Sequence, residues 1–282
     1  MDLRTRYSPE LKLTITGGTG FIGNALIQTI QGTLDSDIEF SPISLTDVPA
    51  NTRLIHCAAT IGNCRDCLIN NASIDSFVFD TCVSKNLSVV YCSTNNVYPL
   101  ALNCDTSTQV YGSDYYSVSK ISGEHLFRSC PDLNSTIIRI GDVFGVGQRH
   151  GNLFKAIAAS IANNQPLRLF GRGLKLRSFI HIDELVSLLR FVSDELDSSQ
   201  NINTVINGSV HDATTVRDIV AYIGEKTNLE IILIPQTEDT SDQDVRSMVP
   251  FSHKSYQPKF PSFWNSLDHY IYSCLSTREH IK

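Results

Sequence analysis

Tyr116 and Lys120, in the segment YYSVSK, stand four residues apart, and on a helix that spacing puts both side chains on one face. An ammonium beside a phenol lowers the phenol's pKa, so such a pair can take a hydroxyl proton during an oxidation and return it during a reduction. The Y-x-x-x-K pattern arises often by chance, and alone it reads as surface decoration. Two earlier segments give it weight. The run LSVVYCSTNNVYP carries Ser93 and Thr94, hydroxyls that can bond a reacting oxygen or merely cap a turn. The run LTITGGTGFIGNALIQTI holds Gly17, Gly20 and Gly23 in G-x-x-G-x-x-G spacing between an apolar strand and an amphipathic helix. There one glycine allows a tight turn, one admits a pyrophosphate to the backbone, and one lets the helix lie close to the sheet. The helix N-terminus offers unpaired N–H groups to the anion. In that context the triplet predicts a dinucleotide site, although a turn without any ligand can use the same residues.

The elements that must hold these residues follow from the pattern around them. LKLTIT, FIGNALIQTIQGTL, IEFSPISL, TRLIHCAAT, a helical stretch and LSVVYCST alternate strand-like and helix-like runs, the signature of parallel strands joined by crossover helices. YYSVSKISGEHLFRSC then reads as a helix and STIIRIGDVFG as a strand. After about residue 147 the texture changes: NLFKAIAASIANNQPL and ELVSLLRFVSDEL read as helices, LRLF and RSFIHI as short strands. These predict a smaller lobe over an open α/β sheet, with strands free to return to the first lobe. The stretch from Pro235 to Pro261, with its acidic TEDTSDQD segment, is expected to be loop-rich surface.

Composition narrows the function. The 282 residues are 41% hydrophobic and 18% charged, as in an ordinary folded protein, and the net charge of −6 argues against a nucleic-acid partner. No apolar run is long enough to span a bilayer. The N-terminus lacks the pattern of a signal peptide, and eight scattered cysteines suit a reducing compartment. A cytoplasmic enzyme is expected. Cys64 and Cys67 form a single C-x-x-C with no second pair, so no metal is assigned and loop thiols are the plainer reading. A ribose-binding acid is expected about 20 residues past the glycines; Asp37 and Glu39 lie at the start of IEFSPISL and Asp47 just beyond it. Between Lys12 and Arg53 there is no Lys, Arg or His, so a 2′-phosphate finds no local cation and NAD is favoured over NADP.

Taken in order, TGGTGFIG at 16–23, HCAA at 56–59, STNNVYP at 93–99, YYSVSK at 115–120, IIRIGDVFG at 137–145 and RSFIHIDEL at 177–185 resemble the extended short-chain dehydrogenase/reductase family, in particular its nucleotide-sugar epimerases and dehydratases. Only the last forty or so residues lack a recognisable match. The resemblance implies a Rossmann-type doubly wound parallel sheet over residues 1–147 and a smaller C-terminal substrate-binding lobe over 148–282. It implies a nucleotide-diphosphate sugar as substrate, NAD as cofactor and a homodimer. It makes Thr94 the catalytic hydroxyl, Tyr116 the acid/base and Lys120 its partner, which also holds the cofactor ribose. Gly17, Gly20, Phe21, Ile22, Gly23, Ala58 and Ala59 would line the cofactor site, Asn71 or Asn70 would match the family's helix asparagine, and Asp47 would lie near the adenine. On the substrate side it points to Asn95, Asp142, Arg149 and Arg177, with Arg177 as the diphosphate ligand and Arg172 a weaker candidate. A guanidinium suits a pair of phosphate oxygens.

Two departures shape the expected activity. Asp142 stands where the family carries asparagine, replacing an amide donor by an acid. Asn95 and Asn96 follow Thr94 where the 4,6-dehydratases carry an Asp-Glu pair, and an amide cannot exchange a proton as a carboxyl group does, which argues against dehydration. An epimerase working through a transient keto-sugar is the leading expectation. A one-way ketoreductase is the second, and a non-catalytic nucleotide-binding protein on the same fold stands as the alternative from another class.

Overall fold

Short runs of β-branched and aliphatic residues build the central sheet. A computed structural model describes residues 13–33, 48–50, 52–148, 153–198, 203–236 and 243–279. Strands β1 (Leu13–Thr16), β2 (Arg53–His56), β3 (Ser88–Thr94), β4 (Ser135–Ile140) and β9 (Thr204–Gly208) lie side by side in that order, all parallel. Helices α1 (Phe21–Thr33), α2 (Arg65–Lys85) and α3 (Tyr115–Arg128) connect the first four, as parallel pairing requires. The proposed second strand, IEFSPISL, and with it Asp37, Glu39 and Asp47, lies outside the described residues.

The sheet is apolar on both faces because it is covered on both. On one side Ile55, Val90, Cys92 and Ile138 pack against Leu26 of α1 and against Leu185, Leu188 and Leu189 of α5 (Ile182–Ser198). On the other, Leu54, Val89, Tyr91 and Ile137 meet Val78 and Cys82 of α2 and Phe127 of α3. This is the doubly wound Rossmann-type arrangement. Successive residues of one strand serve opposite cores, which fixes the register.

A second core belongs to the smaller lobe. Phe154, Ile157 and Ile161 of α4 (Leu153–Asn163), Leu167 and Leu169 of β6 (Leu167–Phe170), Ile219 and Ile223 of α6 (Val216–Thr227), and Leu267 and Tyr270 of α7 (Phe263–Glu279) close around Phe144. Strand β6 pairs with β11 (Ile231–Ile234). Strand β5 (Asp142–Phe144) pairs with β8 (Phe179–His181), and β7 (Leu176–Arg177) lies between β10 (Thr214–Thr215) and β12 (Val245–Arg246). The chain therefore crosses between lobes more than once: α5 and β9, late in sequence, complete the first. The stretch expected to be loop-rich surface is partly internal. Arg246, Ser247 and Met248 are buried, and Cys104 donates its backbone N–H to the Ser247 carbonyl at 2.8 Å. Pairing with chain remote in sequence confers this burial, and no local pattern announces it. Among the described residues no helix is long and apolar enough to cross a membrane.

Candidate active site

The turn after β1 takes its shape from the three glycines. Gly17 has φ of +73°, and a Cβ there would lie 2.6 Å from the backbone nitrogen of Ala58. A Cβ on Gly23 would run into the Gly17 carbonyl. So Gly17 sets the turn against the end of β2, and Gly23 lets α1 approach the turn. Gly20, whose Cβ would meet only the Gly17 carbonyl at 3.1 Å, keeps the open side of the turn bare. That is the cradle an anion at a helix N-terminus needs.

A cleft of about 800 Å³ runs from this turn across the carboxyl ends of the strands to the smaller lobe. Gly17, Gly20, Phe21, Ile22, Gly23 and Ala59 line one end. Thr94, Asn95, Tyr116 and Lys120 line its middle, and Asp142 lies beyond them. The position is the one that the topology of open parallel sheets favours for ligands.

Local structure places each of these groups. Asp114 caps α3: its carboxylate accepts the Ser117 N–H at 2.6 Å while the Ser117 hydroxyl accepts the Asp114 N–H at 3.1 Å. This reciprocal box fixes the first turn, and with it half-buried Tyr116; Lys120 follows one turn later, 2% exposed. Thr94 ends β3, and its hydroxyl oxygen accepts the Asn96 N–H at 3.2 Å, capping the 3-10 turn Asn95–Val97. Capping and facing the cleft are thus both tasks of the same side chain. Ser93 also lines the cleft but gives its proton to Glu124 at 2.5 Å, and Glu124 is held by Arg139 through two nitrogens.

Burial pushes the Tyr116 hydroxyl above its ordinary range. Burial also pulls the Lys120 ammonium down, and that ammonium donates to the Tyr91 hydroxyl at 3.3 Å. Cys57 and Cys92, on neighbouring strand ends in the cleft wall, have their sulfurs 3.5 Å apart.

Other predicted residues sit differently. Ala58 supports the glycine turn through its backbone instead of lining the cleft. Buried Asn71 accepts the Thr60 N–H at 2.7 Å and donates to Ser119 at 2.9 Å, so it ties the loop after β2 to the helix of Lys120. Arg177 does not line the cleft. It is buried against Asp244, donating to its carbonyl at 2.8 Å and to its carboxylate, and its Nε is 3.9 Å from Asp142. The cation that does line the substrate end is Lys175, 44% exposed and 3.0 Å from Asp244. Sequence reading missed it because its neighbour Arg177 carries the motif. Asp142 accepts from Asn95 Nδ2 at 3.1 Å. Arg149 lies outside the described residues. Cys64 is an exposed thiol at the end of the loop before α2, as expected, whereas Cys67, inside that helix, donates its thiol to the Thr60 carbonyl at 2.8 Å. Among the described residues no three His, Cys, Asp or Glu gather as a metal site.

The sequence profile of the NAD dependent epimerase/dehydratase family matches residues 46–207, more than half of the chain. The chain belongs to the NAD dependent epimerase/dehydratase family. It is thereby an enzyme of the extended short-chain dehydrogenase/reductase type, as its motifs led one to expect. Among relatives, it is 24% identical over 225 residues to GDP-6-deoxy-D-talose 4-dehydrogenase of Aggregatibacter actinomycetemcomitans, covering 68% of this chain and 74% of that one. In fold it is similar to MoeE5 in complex with UDP-glucose and NAD, at 21% identity and a TM-score of 0.77, covering 96% of this chain and all of the other. It is also similar to the UDP-glucose 4-epimerase of Thermus thermophilus in complex with NAD, at 16% identity and a TM-score of 0.73, covering 94% and 99%. The family's glycine turn and its Tyr-Lys pair open on one cleft in this chain.

Proposed function

We propose that this protein is an NAD-dependent epimerase of a nucleotide-diphosphate sugar, with Tyr116 as its acid/base. The observation that supports it above the others is that the bare glycine turn, Thr94, Tyr116 and Lys120 share one continuous cleft. Gly17, Gly20 and Gly23 would cradle the dinucleotide's pyrophosphate, Lys120 its nicotinamide ribose, and the cation-free approach to the turn favours NAD over NADP. When bound, NAD supplies a reversible hydride acceptor. Tyr116 exchanges the proton of the sugar hydroxyl, and Thr94 holds the same oxygen so that its lone pair and proton stay aligned. Phenol and hydroxyl remain in place while the keto-sugar turns its other face. Asn95 and Asn96 stand directly after Thr94 where the 4,6-dehydratases carry an Asp-Glu pair, which weighs against dehydration. Lys175 is the cation at the end of the cleft that would receive the diphosphate. A homodimer accompanies this reading through the family resemblance, and a cytoplasmic location through the scattered cysteines.

A one-way ketoreductase is the second reading, favoured by the name of the talose dehydrogenase relative. Incubating the protein with UDP-, dTDP-, GDP- and CDP-sugars while following both cofactor absorbance and sugar isomers separates the two. Isomers formed at constant absorbance support the epimerase, stoichiometric NADH change supports the reductase, and silence on all sugars sinks both.

A further inference from the structure

Behind Lys120 runs a buried hydrogen-bonded chain drawn from five elements. Lys120 Nζ donates to the Tyr91 hydroxyl at 3.3 Å, and that hydroxyl donates to Asp75 Oδ2 at 2.8 Å. On the carboxylate's other oxygen, His56 Nε2 stands at 3.0 Å, and His56 Nδ1 is 2.6 Å from the Thr16 hydroxyl. Burial holds the His56 pKa down, so the ring is neutral. A carboxylate accepts only, so Nε2–H donates to Asp75 and Nδ1 accepts from Thr16. All donors therefore converge on Asp75. A chain that converges from both ends fixes charge and position; it does not conduct protons. The fold makes room for it: a Cβ on Gly123 of α3 would collide with both the Tyr91 hydroxyl and Asp75 Oδ2.

Building on the reading of Tyr116 and Lys120 as the acting pair, we propose that Asp75, acting through Tyr91, is the positioning group that keeps Lys120 charged and aimed into the cleft. An ammonium 2% exposed is costly without a counter-charge. The groups around it can be compared. Helix α2 brings Asp75; β3 brings Tyr91 and Cys92; the end of β2 brings neutral His56 and Cys57; and α3 itself brings Tyr116 and Glu124. Glu124 is already paired with Arg139 at 2.7 Å. The hydrogen bond to Cys92 and burial hold the Cys57 thiol protonated, so it offers Lys120 no counter-charge. Asp75 is left as the carboxylate whose field is free to act on Lys120, and Tyr91 spans the gap between them.

The experiment follows Lys120 itself, by NMR titration of protein labelled with ¹³C-lysine, its signal assigned from the spectrum of Lys120→Met. Asp75→Asn is expected to move the Lys120 midpoint to lower pH by about one unit or more, a tenfold change in acid dissociation. Asp75→Glu is expected to restore much of it. Tyr91→Phe, which keeps the ring in its core, is expected to lower kcat several-fold with KM little changed. An unmoved Lys120 midpoint in folded Asp75→Asn overturns the proposal. Should Asp75→Asn not fold, unchanged kcat and an unchanged Lys120 midpoint in Tyr91→Phe overturn it instead. The NMR readout needs no substrate, so a wild-type protein inert on every sugar, with Lys120 shifting as expected, removes the epimerase reading and supports the anchoring.

Discussion

Tyr116 carries the sharpest expectation. Its hydroxyl is raised by burial, so it rests as the acid and must release its proton only in company with the substrate and Lys120. Tyr116→Phe should keep the fold and NAD affinity while turnover falls by at least about 10²-fold, the scale of a missing general acid/base; near-normal turnover would remove Tyr116 from the chemistry. The two cations at the far end invite a paired comparison. Lys175→Ala should weaken nucleotide-sugar binding several-fold in calorimetry with thermal stability unchanged, since its exposed pairing with Asp244 holds little energy. Arg177→Ala should instead lower the melting temperature, because it strips a buried guanidinium from Asp244. The opposite pattern would make Arg177 the ligand. That Tyr116, Lys120 and the hydroxyls of Ser93 and Thr94 would face one cleft was legible from type and spacing, while the choice of Thr94 rests on the family resemblance. Lys175, Asp75 and Tyr91 were not legible, because nothing in a linear spacing shows that a strand residue and a helix residue 16 positions apart will share a proton.

At the scale of elements, the turn between β1 and α1 is the part whose geometry was written most openly in sequence. Gly17→Ala should destabilise the protein by about 1–2 kcal/mol from the left-handed backbone alone, and by more once the added carbon meets Ala58. The measurements are a denaturation midpoint and an NADH titration, and an unchanged midpoint would mean the turn relaxes freely. Strands β1 to β4 and the helices between them were also readable, since each apolar run is as long as one buried strand. Residues 246–248 were misjudged as surface because a short polar-flanked run is buried by its partners Cys104 and β7, both remote in sequence. For Asn71 the family resemblance suggested the cofactor, and its bonds add that it braces the loop of Thr60 against α3.

For the molecule as a whole, buried histidines set an acid limit. His181, enclosed between Phe144, Phe260 and His269, is held down to about 4 by burial, and His56 is lowered too. Unfolded histidine takes up its proton near 6.5. The unfolded chain therefore binds more protons than the folded one below that pH, and stability that is full above about 6.5 is lost as pH falls toward 4. Melting temperatures recorded between pH 7.5 and 4.5 should fall across that window; a flat profile would show that both rings titrate normally. The hole at Gly123 reaches further, into the history of the sequence. Because the phenol of Tyr91 and the carboxylate of Asp75 occupy the space of a missing methyl group, the three positions can change only in a set order. A lineage acquiring alanine at 123 must first give up the hydroxyl or the acid. Any homologue that keeps a side chain there has to anchor its lysine by some other means.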